Sequence, residues 1–202
     1  MCVNPHYFGN IKLREKNKIT RFFIVTTIQR NYKDFKAAVE RLQRENYQFQ
    51  VIVAGRFETI NEKKIPDNIK KYFIFKHYLS YLDFFKLMET VDFVVINLYR
   101  HYQVDYIYNY GRATGSSQLC YGFLKPGLIQ DFFSKTYGMN HDNSLIFNET
   151  IYDAMKDAII MSNKKYRKMQ YNLKKLADKL YDYSLNNVKI AIDTILQKYN
   201  YN

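Results

Sequence analysis

Short apolar runs alternate along this chain with segments whose apolar residues recur every three to four positions. Residues 21–26, 49–54, 72–75, 92–97, 126–129 and 144–147 form runs of four to six residues, mostly apolar and with many β-branched and aromatic side chains. That is the pattern of strands buried on both faces. After the first run, Phe35, Ala38, Val39 and Leu42 fall at i, i+3, i+4 and i+7, one face of a helix. Ser80 is placed to cap a second helix, with Asp83 three residues on and Leu82, Phe85 and Met88 as its inner face. Gly115-Ser116-Ser117 opens a third helix that runs to about Leu124. Ile151, Ala154, Met155, Ala158 and Ile159 mark a fourth, capped by Asn148 or Thr150. The chain then reads as helical through Leu173, Leu176, Ala177 and Leu180, and again through Val188, Ala191, Ile192 and Ile195, with a break expected at Ser184. Residues 61–71, around Pro66, read as a charged connection.

Continuous apolar strands separated by amphipathic helices predict a parallel sheet covered on both faces. Right-handed crossovers make it a doubly wound, Rossmann-like α/β layer of about six strands, followed by a long C-terminal helical segment. There is no internal repeat. The length of 202 residues fits one domain, and 47% hydrophobic residues suffice for its core. No run of about 18 apolar residues is present, and the first ten residues carry no secretory pattern. Two cysteines, Cys2 and Cys120, make neither a disulfide framework nor a zinc site, so a cytoplasmic location is expected.

Charge changes this picture locally. The formal net charge is +12, and residues 12–44 hold ten basic residues against three acidic ones. Residues 164–179 hold seven against one, Asp178. Such stretches are either solvated faces or surfaces that attract a phosphorylated ligand, an anionic membrane leaflet or nucleic acid. The Tyr-rich residues 99–110 raise base stacking. Aromatics are spread over the whole chain, however, and no RNA-recognition or helix-turn-helix signature occurs, so nucleic acid is not an expected partner.

Ligands of doubly wound sheets bind outside the carboxyl ends of the strands. This selects Thr26, Thr27, Gln29, Arg30 and Lys33 after the first strand, and Gly55 and Arg56 after the second. It selects Lys76 and His77 after the third, Asn97, Tyr99 and Arg100 after the fourth, and Gln130 and Asp131 after the fifth. Between the last two groups, Thr114-Gly115-Ser116-Ser117 sets glycine and small hydroxyls at a helix start, where N–H groups and the helix dipole favour an anion. Arg30 and Lys33 are predicted to face that turn across the crevice and to neutralise a diphosphate. The plain alternative for the turn is an ordinary helix cap.

Several chemistries are excluded by motif. No G-x-G-x-x-G follows the first strand, no P-loop signature occurs and no G-x-S-x-G elbow is present. His6, His101 and His141 are scattered, and Cys120 falls in an apolar helix as a core residue. Asp105 and Asp131 are possible bases without paired-carboxylate spacing.

The order of segments resembles the C-terminal, donor-nucleotide-binding half of group 1 bacterial glycosyltransferases with two Rossmann domains (the GT-B fold). Residues 22–34, 50–55, 77–88 with 91–95, and 114–119 leading to 125–129 carry the resemblance, together with Tyr183-Ser184-Leu185-Asn186-Asn187-Val188 before the last helical stretch. It spans about residues 20–199. It implies a nucleoside-diphosphate-sugar donor, with Arg30, Lys33, Thr114, Gly115, Ser116 and Ser117 on the diphosphate and Thr27, Gly55, Arg56, His77 and Gln118 near the nucleoside. It implies no cofactor and no metal, the positive field coming from the two cations and the helix end. The implied role is the donor half of a transferase of surface polysaccharide or lipopolysaccharide synthesis, inactive without an N-terminal acceptor domain or partner chain. Residues 1–18 would be the linker from that domain and 19–202 the donor-binding domain. Many relatives carry two glutamates with seven residues between them; counted back from Lys125-Pro126, those places fall on Gly111 and Leu119. A different expectation is a non-catalytic binding or scaffold module whose 164–179 face docks on the inner face of the membrane or on an acidic partner.

Overall fold

A computed structural model describes residues 11–25, 33–55 and 65–199. Six strands form one parallel sheet: β1 (Thr20–Val25), β2 (Phe49–Gly55), β3 (Phe73–His77), β4 (Phe93–Val95), β5 (Gly127–Gln130) and β6 (Leu145–Phe147). Their order is β3-β2-β1-β4-β5-β6. Every pair is parallel, with Val25 opposite Ala54, Ile24 opposite Val95 and Gln130 opposite Phe147. The strand order reverses between β1 and β4, so the crevice beyond their carboxyl ends is where a ligand of this fold belongs.

The strands are apolar throughout because both faces are covered. Within β1, Phe22 and Ile24 point into one layer, packed with α1 (Lys33–Arg44) and α6 (Ile151–Ile160). Phe23 points into the other, packed with α3 (Tyr81–Thr90), α4 (Gly115–Phe123) and the base of the 37-residue α7 (Asn163–Tyr199). This is the two-residue alternation of a pleated strand, with an apolar partner on each side. The helical face predicted for α1 is the buried one: Phe35, Ala38, Val39 and Leu42. Ser80 caps α3 by accepting the Asp83 N–H at 3.1 Å, and Thr150 caps α6 by accepting from Tyr152.

Three local expectations are corrected. Ser184 does not break the last helix. Its hydroxyl donates to the Leu180 carbonyl at 2.8 Å, one turn back, so the side chain adds a bond to the ladder without interrupting it. Leu82 is 64% exposed and is not on the inner face of α3. At about 100° per residue, it lies off the arc of Phe84, Phe85 and Met88, and Phe84 meets Phe23 edge-on with centroids 5.9 Å apart. The charged connection around Pro66 contains a short helix, α2 (Asp67–Lys70), with Ile69 buried. Another short helix, α5 (Asp131–Ser134), follows β5 directly, and residues 103–110 form a 3-10 helix.

The amino edge of the sheet is closed by residues 11–19. Asp92, fully buried, accepts from Asn17 N and Nδ2, both at 2.9 Å, and from Arg21 N at 2.8 Å. Arg14 donates to the Val91 carbonyl at 2.7 Å. Lys16 Nζ donates to the Ala158 and Ile159 carbonyls at the end of α6, where orphan carbonyls collect.

Candidate functional site

Among the described residues, two concavities lie at the carboxyl edge, opposite that closure. The first lies over the ends of β1, β2 and β3. Val25, Ala54, Gly55, Lys76, Leu79 and Phe84 line a cavity of about 360 Å³. Gly55 and His77 are register partners, so the two strands end side by side there. Beyond His77 the chain turns sharply: Tyr78, which also lines the cavity, holds φ at +48°, a left-handed value uncommon for a bulky residue. Among the described residues the lining is apolar apart from Lys76 and the Tyr78 phenol, which suits a flat ring more than a sugar.

The turn before α4 is built as a cap. Thr114 Oγ1 accepts the Ser116 N–H at 3.3 Å, and Ser117 Oγ donates to the Thr114 carbonyl at 2.9 Å. Thr114, Ser116 and Ser117 are buried, whereas Gly115 is exposed. Gly115 does not need glycine for its backbone angle, and the position a Cβ would take has no atom of the described residues within 4 Å. Glycine therefore leaves the helix end uncovered. One turn into α4, the buried Gln118 Oε1 accepts no hydrogen bond from the described residues. The two positions counted back from Lys125-Pro126 are structurally committed. Gly111 closes the 3-10 helix at φ +86°, and Leu119 packs in the core.

Lys33 opens α1 and is exposed. Thr27, Arg30 and Arg56, the other cations and strand-end residues expected at the site, lie outside the described residues. Of the described members of the predicted set, Gly55 lines the cavity over β1–β3, His77 is its register partner at the end of β3, Lys33 opens α1, and Thr114, Gly115, Ser116, Ser117 and Gln118 stand at the start of α4.

The second concavity lies over the ends of β4, β5 and β6 and measures about 460 Å³. Gln130, 3% exposed, forms its floor. Gln130 Oε1 accepts the Arg100 N–H at 2.7 Å, and its Nε2 donates to the Asn148 carbonyl at 2.6 Å. At the rim, His101 Nε2 lies 3.1 Å from Asp34 Oδ2 on α1. Behind it Tyr99 is 1% exposed, and burial pushes its phenol well above the ordinary range. Arg100, Gln130 and Asp131 were legible as strand-end residues. Asn148 and Glu149 were not, because a residue following β6 carries only a helix-cap signal in the sequence.

Two sequence candidates prove structural. Asp105 is buried and accepts the Tyr99 N–H at 3.0 Å, so it holds the loop after β4 and is not presented to a substrate. Cys120 is fully buried, and its thiol is raised by desolvation, as a core residue should be. Among the described residues, no group of three or more His, Cys, Asp or Glu side chains is arranged to hold a metal ion. Among them, too, no helix is long and apolar enough to cross a membrane.

No protein-family model and no curated protein matches the sequence. Solved structures do resemble it. A glycosyltransferase from Rickettsia africae matches over 89% of this chain and 48% of its own, with a TM-score of 0.65 at 8% identity. The pneumococcal O-GlcNAc transferase GtfA, solved with UDP and GlcNAc, matches over 92% of this chain and 38% of its own, with a TM-score of 0.63 at 10% identity. The glycotransferase of kitacinnamycin matches over 92% of this chain and 47% of its own, at 0.52 and 9% identity. The chain thus spans less than half the length of each of these glycosyltransferases, and what it shares with them is their Rossmann-like α/β fold.

Proposed function

We propose that this chain is the donor-binding half of a glycosyltransferase and takes a nucleoside-diphosphate sugar. The observation that carries the reading is the carboxyl edge itself. An apolar cavity over β1–β3 of a size to accept a base lies on the same edge as the uncovered start of α4. The fold likeness to glycosyltransferases, one of them solved with UDP, supports the same class of ligand. The base enters beside Gly55 and His77. The diphosphate meets the Gly115 N–H and the Thr114 and Ser116 hydroxyls at the start of α4, with Arg30 and Lys33 as counter-charges, and Gln118, with Thr27 and Arg56, serves the nucleoside. Helix-end N–H groups and cations stabilise the charge that develops on the leaving diphosphate, without a metal. Turnover requires an acceptor-binding domain or partner chain, and the surface-polysaccharide pathway is the setting that the sequence resemblance implies.

Calorimetric titration with UDP, GDP and CDP tests this. One of the three binds, and Arg30→Ala weakens that diphosphate far more than the matching nucleoside. No heat with any of them in a folded sample overturns the reading.

A second reading rests on the outer face of α7. Lys164, Lys165, Arg167, Lys168, Lys174, Lys175 and Lys179 are all exposed there. This face docks on an anionic leaflet, and each such cation near the surface contributes about 1 kcal/mol. Flotation with anionic liposomes falls as salt rises if so. Equal flotation with neutral lipid rejects it.

A further inference from the structure

The two halves of α7 place their apolar residues differently. As far as Leu180 these face inward: Tyr166, Met169, Leu173 and Ala177 are buried, and Leu176 and Leu180 pack on the core. Beyond Leu180, no α7 residue belongs to either core cluster among the described residues. The inward line continues at the same helical spacing, but through the small or polar Ser184, Asn187 and Ala191. The apolar residues move one position on, to Leu185, Val188, Ile192 and Ile195, which are 37–53% exposed. Their spacing of three, four and three is that of a coiled-coil seam. Tyr181, four positions before Leu185, extends the line, and the exposed Leu196 widens it. From 181 to 196 the stripe covers about 24 Å of helix.

The stripe itself selects its occupant. A helix lying on an anionic membrane needs lysines and arginines beside its apolar face. Residues 181–197 instead carry one basic residue, Lys189, against Asp182 and Asp193. A convex row of Leu, Val and Ile gives a small ligand no concave seat. A repeat of about 3.5 residues fits another helix with the same repeat, whose side chains fall between its own. A second copy of the chain supplies one, and the stripe is complementary to itself when reversed. Run antiparallel about a two-fold axis near residue 190, Leu185 meets the partner's Ile195 and Val188 meets the partner's Ile192. The symmetry repeats both layers. Charge fixes the direction. Residues 164–179 hold seven basic residues against one acidic one. A parallel pair would set these two stretches side by side, whereas an antiparallel pair sends them to opposite ends. We propose that two copies of this chain associate through the exposed stripe of distal α7, as an antiparallel helix pair. About 24 Å of paired helix makes a small interface, so the association is reversible and depends on concentration. The pairing is independent of any nucleotide at the carboxyl edge.

Sedimentation velocity on the full chain, from about 2 to about 200 μM, tests this. We expect the weight-average mass to climb from monomer towards dimer. Ile192→Glu, at an exposed position, weakens association about tenfold or more with an unchanged circular dichroism spectrum, because the pair would bury its charge. Ile190→Glu, similarly exposed but about 200° round the helix, leaves association unchanged, which separates the stripe from general apolar stickiness. Disulfide trapping reads the direction, in a Cys2→Ser background where the remaining Cys120 is buried. Mixed Val188→Cys and Ile192→Cys chains crosslink to each other far faster than either crosslinks alone. A parallel pair would crosslink each variant to its own kind, and that result overturns the proposal. So does an Ile192→Glu variant that associates as wild type does. A chain that stays monomeric at every concentration overturns it as well, and leaves the stripe to a different protein.

Discussion

The two edges of the sheet both collect polar side chains, and they use them in opposite ways. At the amino edge the groups are spent on the fold. Asp92 takes three N–H donors, and Arg14 and Lys16 cap carbonyls of neighbouring elements. At the carboxyl edge, Arg100, Asp131 and Glu149 stand around a concavity without ion pairs among the described residues, and the start of α4 is left uncovered by them at Gly115. Buried charge is a poor guide to function when its partners are all internal. Unspent polar groups around a concave floor are the better one. Substitutions at the two edges should therefore separate into losses of stability and losses of binding.

The largest effect is expected at Asp92. Asp92→Asn turns an amide towards a backbone N–H, leaves Arg14 without its ion-pair partner and removes one of the two carboxylates that favour the charged Lys125, which costs about 3–5 kcal/mol. Urea unfolding measures this. UDP affinity of the folded fraction should not change, because Asp92 lies at the opposite edge from the cavity. A loss of affinity as large as the loss of stability would erase the distinction between the edges.

Lys125 comes next. It is 2% exposed, and burial, with a smaller contribution from Arg14, lowers its pKa to about 7. The unfolded chain carries that lysine at its ordinary value near 10.5. Between these values the unfolded state binds more protons than the folded one, so stability rises with pH across the window from about 7 to about 10. Below it both states are protonated and the burial penalty is complete. The rise amounts to a few kcal/mol at most, since each unit of difference corresponds to about 1.4 kcal/mol. Lys125→Met removes it, and the difference between variant and wild type, followed by denaturant midpoint, should shrink as pH rises. A wild-type stability that is flat or falling over that window would show a lysine kept charged by Asp92 and Glu89.

The sequence revealed the layers more readily than the site, for physical reasons. Strands buried on both faces leave unbroken apolar runs, and the α1 face at 35, 38, 39 and 42 repeats with the helix, so both are local signals. The helix through Ser184 was not legible. A serine reads as a breaker unless its hydroxyl is known to return to residue 180. The concavity over β4–β6 joins residues near 100, 131 and 149, which only the strand order brings together. Closure of the amino edge by residues 14–17 depends in the same way on partners more than 70 residues away.

The smallest expected effect bears most directly on the nucleotide reading. Thr114→Ala removes the Oγ1 that accepts the Ser116 N–H, at a cost of about 1 kcal/mol. If α4 only packs, that loss of stability is the whole result. If its start holds a diphosphate, the N–H groups lose their alignment as well, and UDP binding weakens several-fold while uridine binding does not. Parallel calorimetry with UDP and uridine on wild type and variant separates the two, because uridine carries the base and ribose but none of the phosphate charge. Equal affinity for UDP in both proteins would leave this helix end as a cap and move the diphosphate elsewhere on the carboxyl edge.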